Sequence, residues 1–256
     1  MSDMGEDLGM GELRIRLLSA LIVIMMSMTA IQAATITVGP EGDYATIQAA
    51  VDGASPGDTI RVESGTFREN IVINKSVVLR GRDAGDGRPV VDGKGVGSAI
   101  VLSADEITVE GLVVMNSGFG KSGIEVGSDD NTIRNNLVTA NKWYGISLAD
   151  SDDNVISGNV VSGNKYGIWI SAGSLGSRVT KNELKDNNDG NAVDAGTNDW
   201  DDNAYDDLEE ETSYSIAGGS NVDENPRAVG DESEDEDSGS STITVTITIP
   251  TPIIES

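Results

Sequence analysis

Four of the chain's few aromatic residues, Trp143, Tyr144, Tyr166 and Trp169, fall at corresponding places in neighbouring segments of a repeat. Rings exposed in such a column stack on the apolar faces of sugars, and Glu125, Asp150 and Asn164 stand beside them as acceptors for hydroxyl hydrogens. The same rings could equally pack against one another or beneath a loop. A second constellation is Asp199, Asp201, Asn203, Tyr205, Asp207 and Glu210, spaced as positions 1, 3, 5, 7, 9 and 12 of an EF-hand-like loop, with Tyr205 offering its carbonyl to Ca²⁺. Ala204 stands where a glycine normally makes the sharp turn, and Asp206 where an aliphatic residue is usual. Asn74-Lys75-Ser76 is a glycosylation sequon that would serve as well as a plain turn.

Other chemistry is removed by composition. The 256 residues include no Cys and no His, which excludes disulfides, zinc sites, a Cys nucleophile and a His-based triad together. Arg134 and Arg178 lie near the turn carboxylates Asp129, Asp130, Asp152 and Asp153, and no spacing there suggests an acid and a base; salt-bridged, solvated turns account for them. No catalytic residue is assigned, and the reading leans away from an enzyme. The formal net charge of -26 would repel a phosphate backbone, so nucleic acid is not an expected partner. Solubility or a salty medium explains that charge, and Ca²⁺ or a cationic surface would fit it too.

The elements that must hold these residues repeat with a period of about 23 residues. At that offset Ile133, Ile156 and Val179 align, as do Asn136, Asn159 and Asn182; Val138, Val161 and Leu184; and Asn141, Asn164 and Asn187. A Gly-Ile-x-aliphatic phrase recurs at Gly123, Gly145 and Gly167. Alternation sends Ile124, Val126, Ile146, Leu148, Ile168 and Ile170 one way, and Glu125, Ser147 and Trp169 the other. No crossover helix fits within a period, so the short strands must stack as a solenoid in which each coil covers its neighbours' apolar faces. Residues 35–195 then form about six or seven coils. Asn136, Asn159 and Asn182 become a structural ladder, each amide donating to the next.

Three segments flank the repeats. Arg14 and Arg16, the apolar run Leu17 to Met28, and Ala30, Ala33 and Ala34 read as a signal peptide over residues 1–33, with a retained anchor as the alternative. Residues 34–200 are the solenoid, opened by a helix over Asp43–Ala54 with Asp43 as N-cap, which plugs the exposed end coil. Residues 201–230 extend it as an acidic segment. Residues 231–256 combine an acidic linker with the alternating Thr/Ile/Val strand 242–249, which is suited to strand addition onto a partner.

These residues resemble a known group. Tyr44-Ala45-Thr46-Ile47-Gln48-Ala49-Ala50-Val51, Pro56-Gly57-Asp58-Thr59-Ile60, Gly65-Thr66-Phe67-Arg68-Glu69 and Val78-Leu79-Arg80-Gly81 resemble the N-terminal cap of the pectin-lyase-like superfamily. The Asn-ladder coils resemble NosD-type proteins and their carbohydrate-binding and sugar-hydrolysis repeats, with coverage from about Thr35 to Pro226. The resemblance implies an all-β, right-handed parallel β-helix that is secreted, at the cell surface, or periplasmic in a two-membrane cell. It also implies an association with carbohydrate or a cell-envelope component. Copper, which it links to NosD proteins, is not expected, because Met115 is the one soft ligand after residue 33. The leading expectation is a non-enzymatic carbohydrate-binding or envelope protein. The alternatives are a polysaccharide lyase or hydrolase and a scaffold that polymerises through 242–249.

Overall fold

The computed structural model describes residues 33–209 and 212–230. Its strands form three parallel sheets of ten, eight and six strands, apart from one short antiparallel addition, Tyr214–Ser215 against Val222–Asp223. One turn shows the plan: Thr132–Arg134 lies in the first sheet, Leu137–Thr139 in the second and Tyr144–Leu148 in the third. The next turn repeats it with Val155–Ser157, Val160–Ser162 and Tyr166–Ile170, each paired in parallel with its predecessor. This is a parallel β-helix. Within residues 35–195 the first sheet holds seven successive turns, from Thr35–Val38 to Leu175–Thr180. Thr197–Asp201 and Val222–Asp223 add two more beyond them.

The core is a set of aliphatic columns. Ile133, Ile156 and Val179 stack inside the first sheet, Val138, Val161 and Leu184 inside the second, and Ile124, Ile146 and Ile168 inside the third, all fully buried. Short strands can turn so sharply because each corner uses one left-handed residue. Glu106, Asp130, Asp153 and Gly176 serve one corner, Gly111, Asn135, Gly158, Lys181 and Asp202 the next, and Asn116, Ala140, Gly163 and Asp186 the third. Asn, Asp and Gly tolerate that conformation. Ala140, at φ 54°, does not, and its counterpart one turn on is Gly163. Ala140→Gly is expected to raise the unfolding free energy by about 0.5–1 kcal/mol, read from the urea midpoint at constant slope.

At all three corners an inward asparagine follows the left-handed residue in the middle turns, where Asn131, Asn136, Asn141, Asn154, Asn159 and Asn164 stand. The longest ladder runs from Asn136 Nδ2 to Asn159 Oδ1 (3.1 Å), Asn159 to Asn182 (3.0 Å) and Asn182 to Asn203 (2.9 Å), and ends on the buried carboxylate of Asp223 (2.8 Å). A second joins Asn141, Asn164 and Asn187. A third, Asn131 to Asn154, stops where Ser177 replaces asparagine, and leaves Asn154 Nδ2 the one buried side-chain donor without a partner among the described residues.

The helix differs from the sequence expectation. It spans Ile47–Gly53, and Thr46, not Asp43, is its N-cap, accepting from Ala49 N. Asp43 instead closes the preceding turn through Thr37. Glu69 accepts from the N–H groups of Ile47 and Gln48 at the helix start, and Lys75 Nζ donates to the carbonyls of Val51, Asp52 and Ala54 at its end, the charge signs the helix dipole favours. The Gln48 side-chain amide meets Val72 N and O on the edge strand Ile71–Ile73, taking the place of the missing neighbouring strand.

The outer face of the first sheet carries an ion-pair group. Glu110 lies between Arg80 and Arg134, accepting from Arg134 Nε at 2.6 Å. Burial alone would raise its carboxyl, but the hydrogen bonds and charges of the two arginines hold it below the ordinary glutamate range. Its contribution to stability is present above that range and lost as pH falls through the lowered value. Arg134 therefore pairs with Glu110, and Arg178 with Asp199 at 3.5 Å, instead of with the turn carboxylates. Asp105, Asp129 and Asp152 are occupied in accepting the N–H of Asp129, Asp152 and Leu175 in successive turns.

Candidate functional site

The third sheet positions the aromatic residues. Its inward positions are filled by Ile124, Ile146 and Ile168, so the intervening residues Val101, Glu125, Ser147, Trp169 and Val193 form one outward column. A second outward column, Ser122, Tyr144, Tyr166 and Gly190, stands at the strand starts. The two columns are linked diagonally from turn to turn. Ser98 Oγ donates to Glu125 Oε2, Ser122 and Ser147 share a hydrogen bond of 2.6 Å, and the ring of Tyr144 leans on Trp169 with centroids 5.2 Å apart. The face thus passes from hydroxyl and carboxylate groups to aromatic rings over three turns.

Around the corner the aromatic surface continues. Tyr144 stacks on Tyr166 at 5.9 Å, Trp143 meets Tyr144 at 6.3 Å, and Phe119 stands edge-on to Trp143 at 4.5 Å. Phe119 is 78% exposed, the highest value among the large hydrophobic residues described. The Lys165 ammonium sits 3.5 Å above the Trp143 ring and 3.4 Å from Asp189. Such an ammonium is held by the ring's negative face as well as by the carboxylate.

Trp143, Tyr144, Tyr166, Trp169 and Glu125 are thus brought together on one surface. Asn164 is not: it is fully buried in the second ladder, donating to Val138 O and Asn187 Oδ1. Asp150 lies past the far end of the strand Tyr144–Leu148, in a left-handed turn, away from Trp143. Phe119 is an addition that periodicity did not offer, since it stands in a loop between strands, and Lys165 joins the surface through the Trp143 ring.

The EF-hand spacing does not produce a loop. Asp199 and Asp201 belong to the strand Thr197–Asp201, Asn203 is turned inward to the ladder, and Tyr205 is fully buried in the strand Ala204–Tyr205. The residues face different partners: Asp199 meets Arg178, Asp201 accepts from Asn225, and Asp207 accepts from Asn191 and Tyr214. Tyr205 donates to Asp223 and stacks on Tyr214, its phenol pushed upward by burial and by that carboxylate. Glu210 lies outside the described residues, as does the strand 242–249. Asn74 is exposed in the turn after Ile71–Ile73.

Fold and site together define a parallel β-helix with an aromatic outer face. The chain belongs to the NosD family, described as periplasmic copper-binding protein, whose model matches residues 87–225. Over 137 residues it is 31% identical to a cell surface glycoprotein of Methanothermus fervidus, a match covering 50% of this chain and 22% of that protein. The chain therefore spans about a fifth of the length of the curated relative it matches. Among solved structures, an alginate lyase from a Paenibacillus species aligns with TM-score 0.47 and 19% identity, over 67% of this chain and 76% of the other. The ORF18 protein of Geobacillus virus E2 aligns with TM-score 0.47 and 14% identity, over 82% and 47%.

The described residues do not fit a copper centre. Copper sites are built from His, Cys or several Met. The chain has neither His nor Cys, and Met115, the single methionine among the described residues, lies half-buried in a strand. No group of three or more acidic metal-ligand residues gathers among the described residues either.

Proposed function

We propose that this is an exported surface protein whose third-sheet face binds carbohydrate. The observation that supports it most is the contiguous run of Phe119, Trp143, Tyr144, Tyr166 and Trp169, adjoined by Glu125. Rings give sugar C–H faces a platform, and the adjoining Glu125 carboxylate gives orientation. Hydrolysis of a glycosidic bond needs two carboxyl groups about 5 to 10 Å apart. Glu125 is the one carboxylate in its outward column among the described residues, which favours binding over cleavage on this face.

The name of the Methanothermus relative fits a surface location. Residues 1–33 would act as the export signal, and Asn74, exposed on a turn, would be open to glycosylation. No helix among the described residues is long and apolar enough to cross a membrane.

Trp169→Ala tests the reading. Its ring is only half-buried and rests on Tyr144, so its loss should cost about 1–2 kcal/mol of stability, below the about 3–5 kcal/mol of a core tryptophan. Binding to glycans identified on an array with the parent protein should fall at least tenfold. Unchanged binding, or a stability loss of core size, would overturn the assignment of this face.

A further inference from the structure

The aromatic face has a cationic rim in a chain whose 43 Asp and Glu far outnumber its 17 Lys and Arg. Lys94, Lys121, Lys142 and Lys165 all lie on the corner between the second and third sheets, beside Phe119 and Trp143. Lys142 and Lys165 hold the same repeat position, directly after the ladder asparagines Asn141 and Asn164. Lys94, Lys121 and Lys142 are exposed. Elsewhere the arginines and lysines are largely absorbed by the fold: Arg61 and Arg82 by Glu63, Arg80 and Arg134 by Glu110, Arg227 by Asp202, Lys185 by Glu183 and Lys75 by the helix end. No ion pair engages Lys94, Lys121 or Lys142 among the described residues.

The carboxylates near this rim already have partners. Asp92 takes Asn116 Nδ2 at 2.6 Å and Arg68 at 3.5 Å, Asp189 takes Lys165, and Glu125 takes Ser98. Lys142 reaches back across two turns to the Gly95 carbonyl at 3.5 Å, which brings its ammonium beside the loop that carries Lys94. Three ammonium groups that no carboxylate pairs among the described residues therefore border a platform of rings, in a chain of strongly negative net charge.

We infer that the ligand of this face is an acidic polysaccharide, whose sugar rings stack on Phe119 and Trp143 while its carboxylate or sulfate groups pair with Lys121, Lys142 and Lys94. This rests on the carbohydrate reading above and sharpens it. A neutral glycan would gain only hydrogen bonds to its hydroxyl oxygens from the lysines, whereas an anionic one adds the attraction of opposite charges. A polyanion would be repelled by a chain of net charge -26 everywhere except where cations are clustered, so the rim also fixes where along the solenoid it lies.

The test is a glycan array carrying uronate-containing, sulfated and neutral chains of matched length, probed with the parent protein and with Lys121→Gln/Lys142→Gln. The side chains are exposed, so the variant should keep the parent melting temperature. Acidic chains should bind at least tenfold more strongly than neutral ones, and the double change should weaken them about a hundredfold, about tenfold for each lost charge-assisted contact. Lys142→Arg should retain binding. Binding of neutral chains that the double variant leaves untouched would overturn the inference and leave the carbohydrate reading standing. Binding of no glycan by the folded parent would overturn both.

Discussion

Asn159→Leu is expected to lower the unfolding free energy by about 4–6 kcal/mol, because buried groups left without partners cost about 1–3 kcal/mol each. Asn159 Oδ1 accepts from both the backbone N–H and the side-chain amide of Asn136, at 3.0 and 3.1 Å. Its own Nδ2 donates to Ile133 O, Ser157 O and Asn182 Oδ1. Leucine has nearly the same volume and can answer none of these groups, and the site is sealed from water, since Asn159 is fully buried. The break also falls in the middle of a ladder, so the turns on either side lose their joint. Urea unfolding at constant slope reads the loss; a change under about 1 kcal/mol would mean that the ladder contributes no more than an ordinary hydrogen bond does.

Gly145→Ala should be nearly as damaging, through shape alone. A Cβ there would stand 2.5 Å from Val161 Cγ1, 2.7 Å from Gly167 O and 2.9 Å from Asn164 Nδ2. Gly123 meets the equivalent three groups one turn earlier, namely Val138 Cγ1, Gly145 O and Asn141 Nδ2. The recurring glycine is thus the place where a turn presses on the next turn's carbonyl, a core valine and a ladder amide. None of these can withdraw without unpairing a strand. A cost of about 3 kcal/mol is expected from such overpacking. That corresponds to a melting temperature lower by about 6–12 °C for a chain of this size. An unchanged melting temperature would show that the turns slide past one another more freely than this spacing allows.

Much of the architecture was legible because each turn repeats the one before. The columns Ile133, Ile156 and Val179, and Asn136, Asn159 and Asn182, keep one interval in the chain and therefore one place in space. What was hidden departs from that interval or from periodicity altogether. Asn203 continues the ladder after 21 residues instead of 23, so the interval does not reach it and its place among acidic residues suggests a calcium ligand instead. Arg80 and Glu110 are 30 residues apart because that turn carries an insertion. Asn164 adjoins the outward Lys165 and Tyr166 in the chain, but the corner turns Asn164 itself into the core. Phe119 lies in a loop, where no alternation marks a residue as exposed or buried. Thr46 took the cap that Asp43 was expected to hold, since Asp43 is engaged by Thr37, six residues away.

The amide of Gln48, set against Val72, has a consequence for assembly. A cylinder made of identical turns has no intrinsic length; it stops growing only where something occupies the next place in the stack. At this end of the third sheet the occupant is one side chain on a short helix, held by Glu69 at its start and Lys75 at its finish. Without it, the edge strand would offer its N–H and carbonyl to any strand of matching pitch, including the far end of a second molecule. The helix thus closes this edge of the third sheet to strand addition.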